Sequence, residues 1–347
     1  MQLELSSLNS SSMSWKVLIT ARGSGENGDG ALEILQGAGC KVTIPEKLGP
    51  LPPDVLRQAI VGHDAVLCSP DPYTREFMAS PEAADLKIIS RWGVGYDSID
   101  VPAATELGIV IGFTPGLLDE AVADYAFALL LTAARHTARV HADMMAGRWK
   151  VAWGCDIGGK TLGIVGCGRI GQAVARRAKG FGMRLLCYDV FENPGAKELG
   201  VEYVSFETLL GESDFVTLHA ALTPENHGMM GEEQFRRMKP NALFINTARG
   251  AHVDEPALAK ALTEGWIGGA AVDAYLEEPL AADHPFRSAP NLILSPHQAS
   301  STRETGERVS RTAAQAIVDL MQGKAPQLVV NRDVLASSAL RANLGGR

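Results

Sequence analysis

Residues 161–189 read TLGIVGCGRIGQAVARRAKGFGMRLLCYD, and this stretch decides the fold. The apolar run Leu162–Val165 is typical of a buried parallel strand, and it ends directly in the glycine pattern GxGxxG of residues 166–171. A helical pattern follows, and a second apolar strand leads to Asp189. A glycine turn placed between a strand and a helix predicts a βαβ unit of a doubly wound sheet.

The glycines of this unit favour a dinucleotide ligand. Gly166 permits the tight turn, Gly168 removes a Cβ where a pyrophosphate would approach, and Gly171 lets the helix pack closely on the strand. The N-terminus of that helix offers unpaired N–H groups to phosphates. Asp189 lies 18 residues beyond Gly171, where an acid is expected to meet the ribose hydroxyls. A carboxylate there would repel a 2′-phosphate, so NAD is predicted over NADP.

Strand and helix patterns alternate on both sides of this unit. Four strands are predicted within about the first 113 residues: Lys16–Thr20, Cys40–Ile44, Ala65–Cys68 and Leu86–Ser90. Seven are predicted from the unit onward: Thr161–Val165, Arg184–Tyr188, Glu202–Val204, Phe215–His219, Ala242–Asn246, Gly269–Val272 and Leu292–Leu294. Because such alternation produces parallel sheets with crossover helices, the predicted fold class is α/β with two doubly wound parallel-sheet domains.

Two further helices frame the second series of strands. Asp119–Met145 is predicted as one long helix, apolar nearly all round from Ala121 to Ala134, so it is expected to be buried on most faces. It is either a core helix or a contributor to a subunit interface. The last predicted helix, Ser301–Met321, follows the final strand.

Composition and charge exclude several classes of partner. The chain has 347 residues, 46% of them hydrophobic, and a formal net charge of −8. An acidic chain disfavours a nucleic-acid partner and a polybasic membrane surface. Residues 1–14 are serine-rich, lack the features of a signal peptide and are expected to be a disordered extension. The longest apolar run is too short to span a membrane, and the five scattered cysteines suit a reducing compartment, so a cytoplasmic location is expected.

Three later strand ends carry the residue types that hydride transfer to a 2-oxo acid requires. Arg249 offers a planar cation that can hold a carboxylate and polarise a carbonyl. His297 can protonate the developing alkoxide, and Glu278 can orient the imidazole. Nicotinamide carries the hydride, so no metal is expected. Taken singly, each residue also fits an ordinary role in an ion pair, a turn or a loop.

These motifs resemble the D-isomer-specific 2-hydroxyacid dehydrogenase family over roughly residues 15–325. The resemblance rests on RWGVGYDSID at 91–100, the glycine pattern with Asp189, NTARG at 246–250, Asp273 with Glu278-Pro279, and SPH at 295–297. It implies the catalytic set Arg249, Glu278 and His297, and substrate-carboxylate binding by the amides of Gly93, Val94 and Gly95. It implies NAD contacts from these residues: Gly166, Gly168, Arg169, Ile170, Gly171, Asp189, Ala220, Thr247, Ala248 and Asp273.

The resemblance also implies which residues form the substrate domain and which form the NAD domain. Residues 15–113 and 296–330 are expected to form a flavodoxin-like substrate domain, into which a Rossmann NAD domain of residues 114–295 is inserted. Dimerisation through residues 119–145 is implied as well. The expected substrates are hydroxypyruvate or glyoxylate, 2-ketogluconate, or 3-phosphoglycerate. Cys68 stands where phosphoglycerate dehydrogenases tend to have a basic residue, which disfavours a phosphorylated substrate, although Arg91 matches theirs.

Two alternatives remain open from the sequence alone. A non-catalytic NAD-sensing protein of the same fold could keep all three catalytic residues, because fold does not determine function. A formate- or phosphite-type dehydrogenase shares the architecture, although the asparagine-rich substrate loop of the formate type is absent.

Overall fold

A computed structural model describes residues 14–27 and 29–345. The described residues form two compact units. Unit 1 runs up to Leu117 and resumes at Arg303, and unit 2 spans Leu118–Thr302. These boundaries fall a few residues after those predicted at 113/114 and 295/296. Of the predicted N-terminal extension, residues 1–13 lie outside the described residues, whereas the Ser14 hydroxyl donates to the Gly39 carbonyl at 2.7 Å.

Unit 1 contains a five-stranded parallel sheet in the order β2-β1-β3-β4-β5. Its strands are β1 (Lys16–Ile19), β2 (Lys41–Thr43), β3 (Ala65–Cys68), β4 (Ile88–Arg91) and β5 (Val110–Gly112). This is the flavodoxin-like order, as predicted. The fifth strand was not predicted; it is short and ends in a glycine, a residue that strands disfavour.

Unit 2 contains a seven-stranded parallel sheet in the order β12-β11-β10-β9-β6-β7-β8. Its strands are β6 (Thr161–Val165), β7 (Arg184–Tyr188), β8 (Glu202–Tyr203), β9 (Phe215–Leu218), β10 (Leu243–Asn246), β11 (Gly269–Val272) and β12 (Leu292–Leu294). The prediction of two doubly wound parallel sheets is therefore confirmed. The strand order reverses between β6 and β9, and ligands of such sheets bind beyond the carboxyl ends of the strands at this point.

Helices cover both sheets, and within the described residues they are α1 (Arg22–Asn27), α2 (Asp29–Gly37), α3 (Pro53–Ala59), α4 (Arg75–Met78), α5 (Val101–Glu106), α6 (Asp119–Arg135), α7 (Thr137–Met145), α8 (Arg169–Gly180), α9 (Pro194–Glu198), α10 (Phe206–Glu212), α11 (Glu232–Arg237), α12 (Glu255–Thr263) and α13 (Arg303–Met321). None of them combines the length and apolarity that a bilayer crossing needs. The final helix α13 belongs to unit 1, where Ala313, Ile317 and Val318 are buried in the core. The Ser90 hydroxyl of β4 donates to the Ala313 carbonyl at 2.8 Å.

The long helix predicted over Asp119–Met145 is two helices. His136 adopts φ 54°, a left-handed conformation that ends α6 and precedes α7. The apolar pattern did not predict this break, because histidine is not among the residues that dominate turns. The two parts differ sharply in burial: nine residues of α6 are buried, whereas α7 buries none. Of these two helices, therefore, α6 is a core helix and α7 is not.

Candidate active site

The glycine loop of unit 2 is shaped by close backbone approaches. Gly166 has φ +90°, and a Cβ there would lie 2.4 Å from the Ala220 nitrogen at the end of β9. A Cβ on Gly171 would lie 2.2 Å from the Gly166 carbonyl oxygen. At Gly168, by contrast, a Cβ would meet no atom within 4 Å. The first and third glycines are thus required by the turn, and the second leaves open space in front of the N-terminus of α8.

Asp189, at the end of β7, faces this loop. Its Oδ2 accepts the Cys167 N–H at 2.6 Å, and its Oδ1 accepts the Phe191 N–H at 3.4 Å. Both Val190 and Phe191 are largely exposed, and neither is basic. The acid therefore stands beside the glycine turn, as the dinucleotide-binding pattern requires. An open N-terminal helix cradle with an adjacent carboxylate fits NAD.

His219 joins the site although the sequence did not single it out. It follows β9, and its Nε2 lies 2.8 Å from the Thr217 hydroxyl, while its Nδ1 lies 3.5 Å from the Thr247 hydroxyl. Burial lowers the pKa of His219 to about 3, so the imidazole is neutral. Its position at the carboxyl end of a strand could have identified His219 from the sequence, as it identified Arg249 and His297.

Arg249 is positioned by a tight turn after β10. The Asn246 side chain accepts the Ala248 N–H and donates to the Arg249 carbonyl, each at 2.9 Å. Gly250 then runs so close to the next loop that a Cβ would lie 1.9 Å from the Tyr275 carbonyl carbon. This close approach brings the Arg249 backbone against the loop that leads to Glu278.

Glu278 and His297 form a direct pair. The two Glu278 oxygens lie 2.9 and 2.8 Å from His297 Nδ1, and Oε1 also accepts the Tyr275 N–H at 3.1 Å. Burial alone would raise the pKa of Glu278, but the hydrogen bond and charge of His297, with help from the Tyr275 N–H and Arg249, hold it below its usual value. Glu278 is therefore a carboxylate at neutral pH. Its bond to Nδ1 leaves Nε2 as the nitrogen available for proton transfer.

The loop that carries His297 is held by Asp273. Its Oδ1 accepts the Ser295 hydroxyl at 2.5 Å and the Gln298 N–H at 2.9 Å, and its Oδ2 accepts the Ala299 N–H at 2.8 Å. Between these contacts, His297 adopts φ 52°, in the left-handed region. The predicted contact from Asp273 to NAD stays a prediction. In this structure the Asp273 carboxylate organises the loop after β12.

In unit 1, the predicted carboxylate-binding loop is shaped by Arg91. Its guanidinium donates to the carbonyls of Gly95 at 2.9 Å and Cys68 at 3.3 Å, and also to that of Trp92. The Gly93 N–H donates to the Thr114 hydroxyl at 3.0 Å. The amides of Val94 and Gly95 have no acceptor among the described residues. Two of the three predicted amides are therefore available to an anion.

The fold and the site define an NAD-dependent dehydrogenase of 2-hydroxy acids. The family described as D-isomer specific 2-hydroxyacid dehydrogenase, NAD binding domain, matches residues 127–299. The chain is 50% identical over 273 residues to a glyoxylate reductase of Korarchaeum cryptofilum, covering 76% of this chain and 81% of that protein. A glyoxylate reductase of Thermococcus litoralis is 49% identical over 266 residues, covering 74% and 80%. The chain belongs to the D-isomer-specific 2-hydroxyacid dehydrogenase family.

A solved structure has the same fold over most of the length of this chain. The TT0316 protein from Thermus thermophilus is 39% identical and superposes with a TM-score of 0.82, covering 91% of this chain and 99% of that one. The chain is thus an oxidoreductase that binds NAD(H) and interconverts 2-oxo acids and 2-hydroxy acids. The predicted reaction class is confirmed.

Proposed function

We propose that this protein is a glyoxylate reductase that also accepts hydroxypyruvate and prefers NADH. The observation that carries the proposal is the Glu278–His297 pair beside Arg249 at the carboxyl edge of the NAD-binding sheet. The relatives named as glyoxylate reductases support the substrate class. Arg91 supports an unphosphorylated substrate, because it is 6% exposed and donates to backbone carbonyls of its own loop.

The proposed roles follow from the chemistry of each side chain. Arg249 binds the substrate carboxylate and draws electron density from the 2-oxo group. His297 donates the Nε2 proton to the alkoxide oxygen as it forms, and Glu278 stabilises the imidazolium through Nδ1. The amides of Val94 and Gly95 are proposed to bind the carboxylate as well. Bound NADH supplies the hydride, so one oxo acid, one NADH and one proton yield one hydroxy acid and one NAD⁺.

The cofactor is proposed to be held by the glycine loop and the neighbouring strand ends. Gly166, Gly168 and Gly171 with Arg169 and Ile170 provide the phosphate cradle at the N-terminus of α8. Asp189 is the proposed partner of the ribose hydroxyls. The remaining proposed contacts are Ala220, Thr247, Ala248 and Asp273.

The substrate proposal is tested with a panel of 2-oxo acids assayed with NADH and NADPH in parallel. We expect kcat/KM to be highest for glyoxylate or hydroxypyruvate, and lower by at least about tenfold for 2-ketogluconate and phosphohydroxypyruvate. A phosphorylated acid as the preferred substrate would contradict the proposal. Hydride transfer to none of the acids, despite measurable NADH binding, would favour the NAD-sensing alternative.

Asp189→Ser is expected to weaken the preference for NADH over NADPH. A hydrogen bond to a charged group contributes about 1.5–3 kcal/mol, so the ratio of kcat/KM for the two cofactors should fall about 10- to 100-fold. The ratio of the two kcat/KM values is the informative quantity. Losing the bond from the Cys167 N–H should weaken the binding of NADH and NADPH alike. Glu198→Ser removes the same charge at an exposed position of α9 and should leave the ratio unchanged. An unchanged ratio in Asp189→Ser would remove this residue from the ribose site.

We also propose a homodimer formed through residues 119–145 and the segment that follows. Helix α7 buries no residue in its own chain and ends in the exposed Met145 (76%). The residues after it expose Trp149 (85%), Val151 (78%) and Trp153 (91%). Large apolar side chains this exposed mark an association surface. Since α6 is mostly buried in its own unit, the proposed contact rests on α7 and residues 144–153 more than on α6.

Replacing both Trp149 and Trp153 by serine is expected to produce monomers. Each indole buried at an interface contributes typically about 2 kcal/mol or more, so removing both should raise the dimer dissociation constant about 1,000-fold or more. Light scattering coupled to gel filtration should show a mass near 36.9 kDa for the variant and twice that for the parent. Val61→Ser, at a 57% exposed apolar position of unit 1, is the control. A parent protein that elutes as a monomer would overturn the dimer.

A further inference from the structure

The loop that carries Glu278 is fastened at both ends by one buried carboxylate. Glu255 opens α12, and its side chain is 8% exposed. Its Oε1 accepts the Leu276 N–H at 2.9 Å, and its Oε2 lies 3.1 Å from His284 Nε2. Leu276 and His284 stand on either side of residues 277–283, so these two contacts close the loop around Glu278.

His284 is itself held in one orientation. Its Nδ1 accepts the Phe286 N–H at 3.3 Å, so Nε2 carries the ring proton and donates it to Glu255. The ring also packs edge-on against Phe286, with centroids 4.8 Å apart, and Phe286 is buried in the core of unit 2. Both ends of the contact are therefore fixed by the rigid part of the unit.

We propose that Glu255 and His284 are positioning residues that hold Glu278 where it can orient His297. This inference rests on the proposed function, since it assumes that Glu278 acts on His297. Glu278 reaches His297 from a loop, and its own additional contact is to the Tyr275 N–H within that loop. A charged side chain as buried as Glu255 is unfavourable unless its oxygens are hydrogen-bonded, and here both oxygens bind the ends of the loop. Releasing the loop would displace the Glu278 carboxylate from its bonds of 2.8 and 2.9 Å to His297.

The test compares Glu255→Ala and His284→Ala with the conservative Glu255→Gln. We expect kcat for glyoxylate reduction to fall about 10- to 100-fold in both alanine variants, the size of effect that a misplacement of about 1 Å produces. The KM for NADH should stay within about twofold. The pH at which kcat has dropped to half should move to lower pH, because the imidazolium loses its carboxylate. Glu255→Gln keeps an acceptor for the Leu276 N–H and should recover part of kcat.

Hydrogen–deuterium exchange supplies a readout that does not depend on activity. Exchange across residues 276–284 should rise in both alanine variants and remain near the parent level in Glu264→Ala. Glu264 follows α12 and its side chain is 48% exposed, so Glu264→Ala should also retain the parent kcat. If Glu255→Ala does not fold, His284→Ala is decisive by itself, because the His284 side chain is 21% exposed and better tolerates removal.

The outcomes separate this inference from the proposed function. If Glu278→Gln lowers kcat while both alanine variants keep the parent kcat, pH profile and exchange, the positioning role is wrong and the proposed function stands. A fall in kcat with an unmoved pH profile and unchanged exchange would also overturn the positioning role. If Glu278→Gln itself keeps full turnover, the proposed function fails and the inference fails with it.

Discussion

His297→Asn is expected to lower kcat for glyoxylate reduction by about 10²–10⁴, the usual contribution of general acid–base catalysis. Asparagine is the suitable replacement because His297 has φ 52°, and asparagine tolerates the left-handed region better than alanine does. The backbone of the loop should persist, since Asp273 holds it through the Gln298 and Ala299 amides. The measurement is steady-state oxidation of NADH, with NADH affinity followed separately by fluorescence. Affinity should change little, because the proposed cofactor cradle lies at the glycine loop.

The role of His297 as the acid also predicts the direction in which kcat changes with pH. Reduction requires the imidazolium, so kcat of the parent enzyme should fall as pH rises, and oxidation of the hydroxy acid should rise over the same range. Glu278, whose pKa is held below its usual value, stays ionised throughout this range. The His297→Asn variant should lose this pH dependence. His227→Asn, at an exposed position of unit 2, should keep both the rate and the profile. Full turnover in His297→Asn would refute the assigned acid.

Arg249→Ala is expected to lower kcat/KM for the 2-oxo acid by about 10²–10³ or more, the loss that follows removal of one preorganised donor to a developing oxyanion. Both KM and kcat should worsen, because the same guanidinium is proposed to bind the carboxylate and to polarise the carbonyl. Arg249→Lys should recover little, since an ammonium cannot reproduce the two parallel N–H donors. The turn itself should survive, because Asn246 holds it through backbone groups of Ala248 and Arg249.

Arg184→Ala is the matched control for this change. Arg184 begins β7 and forms ion pairs with Glu202 and Glu212 at the protein surface. Surface pairs of this kind contribute about 0–1 kcal/mol, so kcat/KM should be unaffected. An Arg249→Ala enzyme with the parent kcat/KM would show that another cation binds the substrate.

The site was predictable to the extent that its chemistry lies at strand ends. Arg249 and His297 each follow an apolar strand, Glu278 lies in the loop after another, and the ends of parallel strands meet at one edge of the sheet. The supporting contacts were not predictable. Glu255 and His284 lie 29 residues apart, and their meeting depends on how the loop after β11 folds back onto α12. Glycine is likewise required at position 250 because the backbone of Tyr275 passes where a Cβ of residue 250 would lie.

The sequence by itself determined the two parallel sheets, the dinucleotide turn of residues 161–189 and the family. These features are local: apolar strand patterns and glycine spacing act through neighbouring residues, and a turn is specified by the residues inside it. Only the tertiary structure decided that Asp273 holds the His297 loop, that α6 and α7 separate at His136, and that α7 buries no residue in its own chain. Such features depend on hydrogen bonds and packing between distant segments, which leave no periodic signal along the chain.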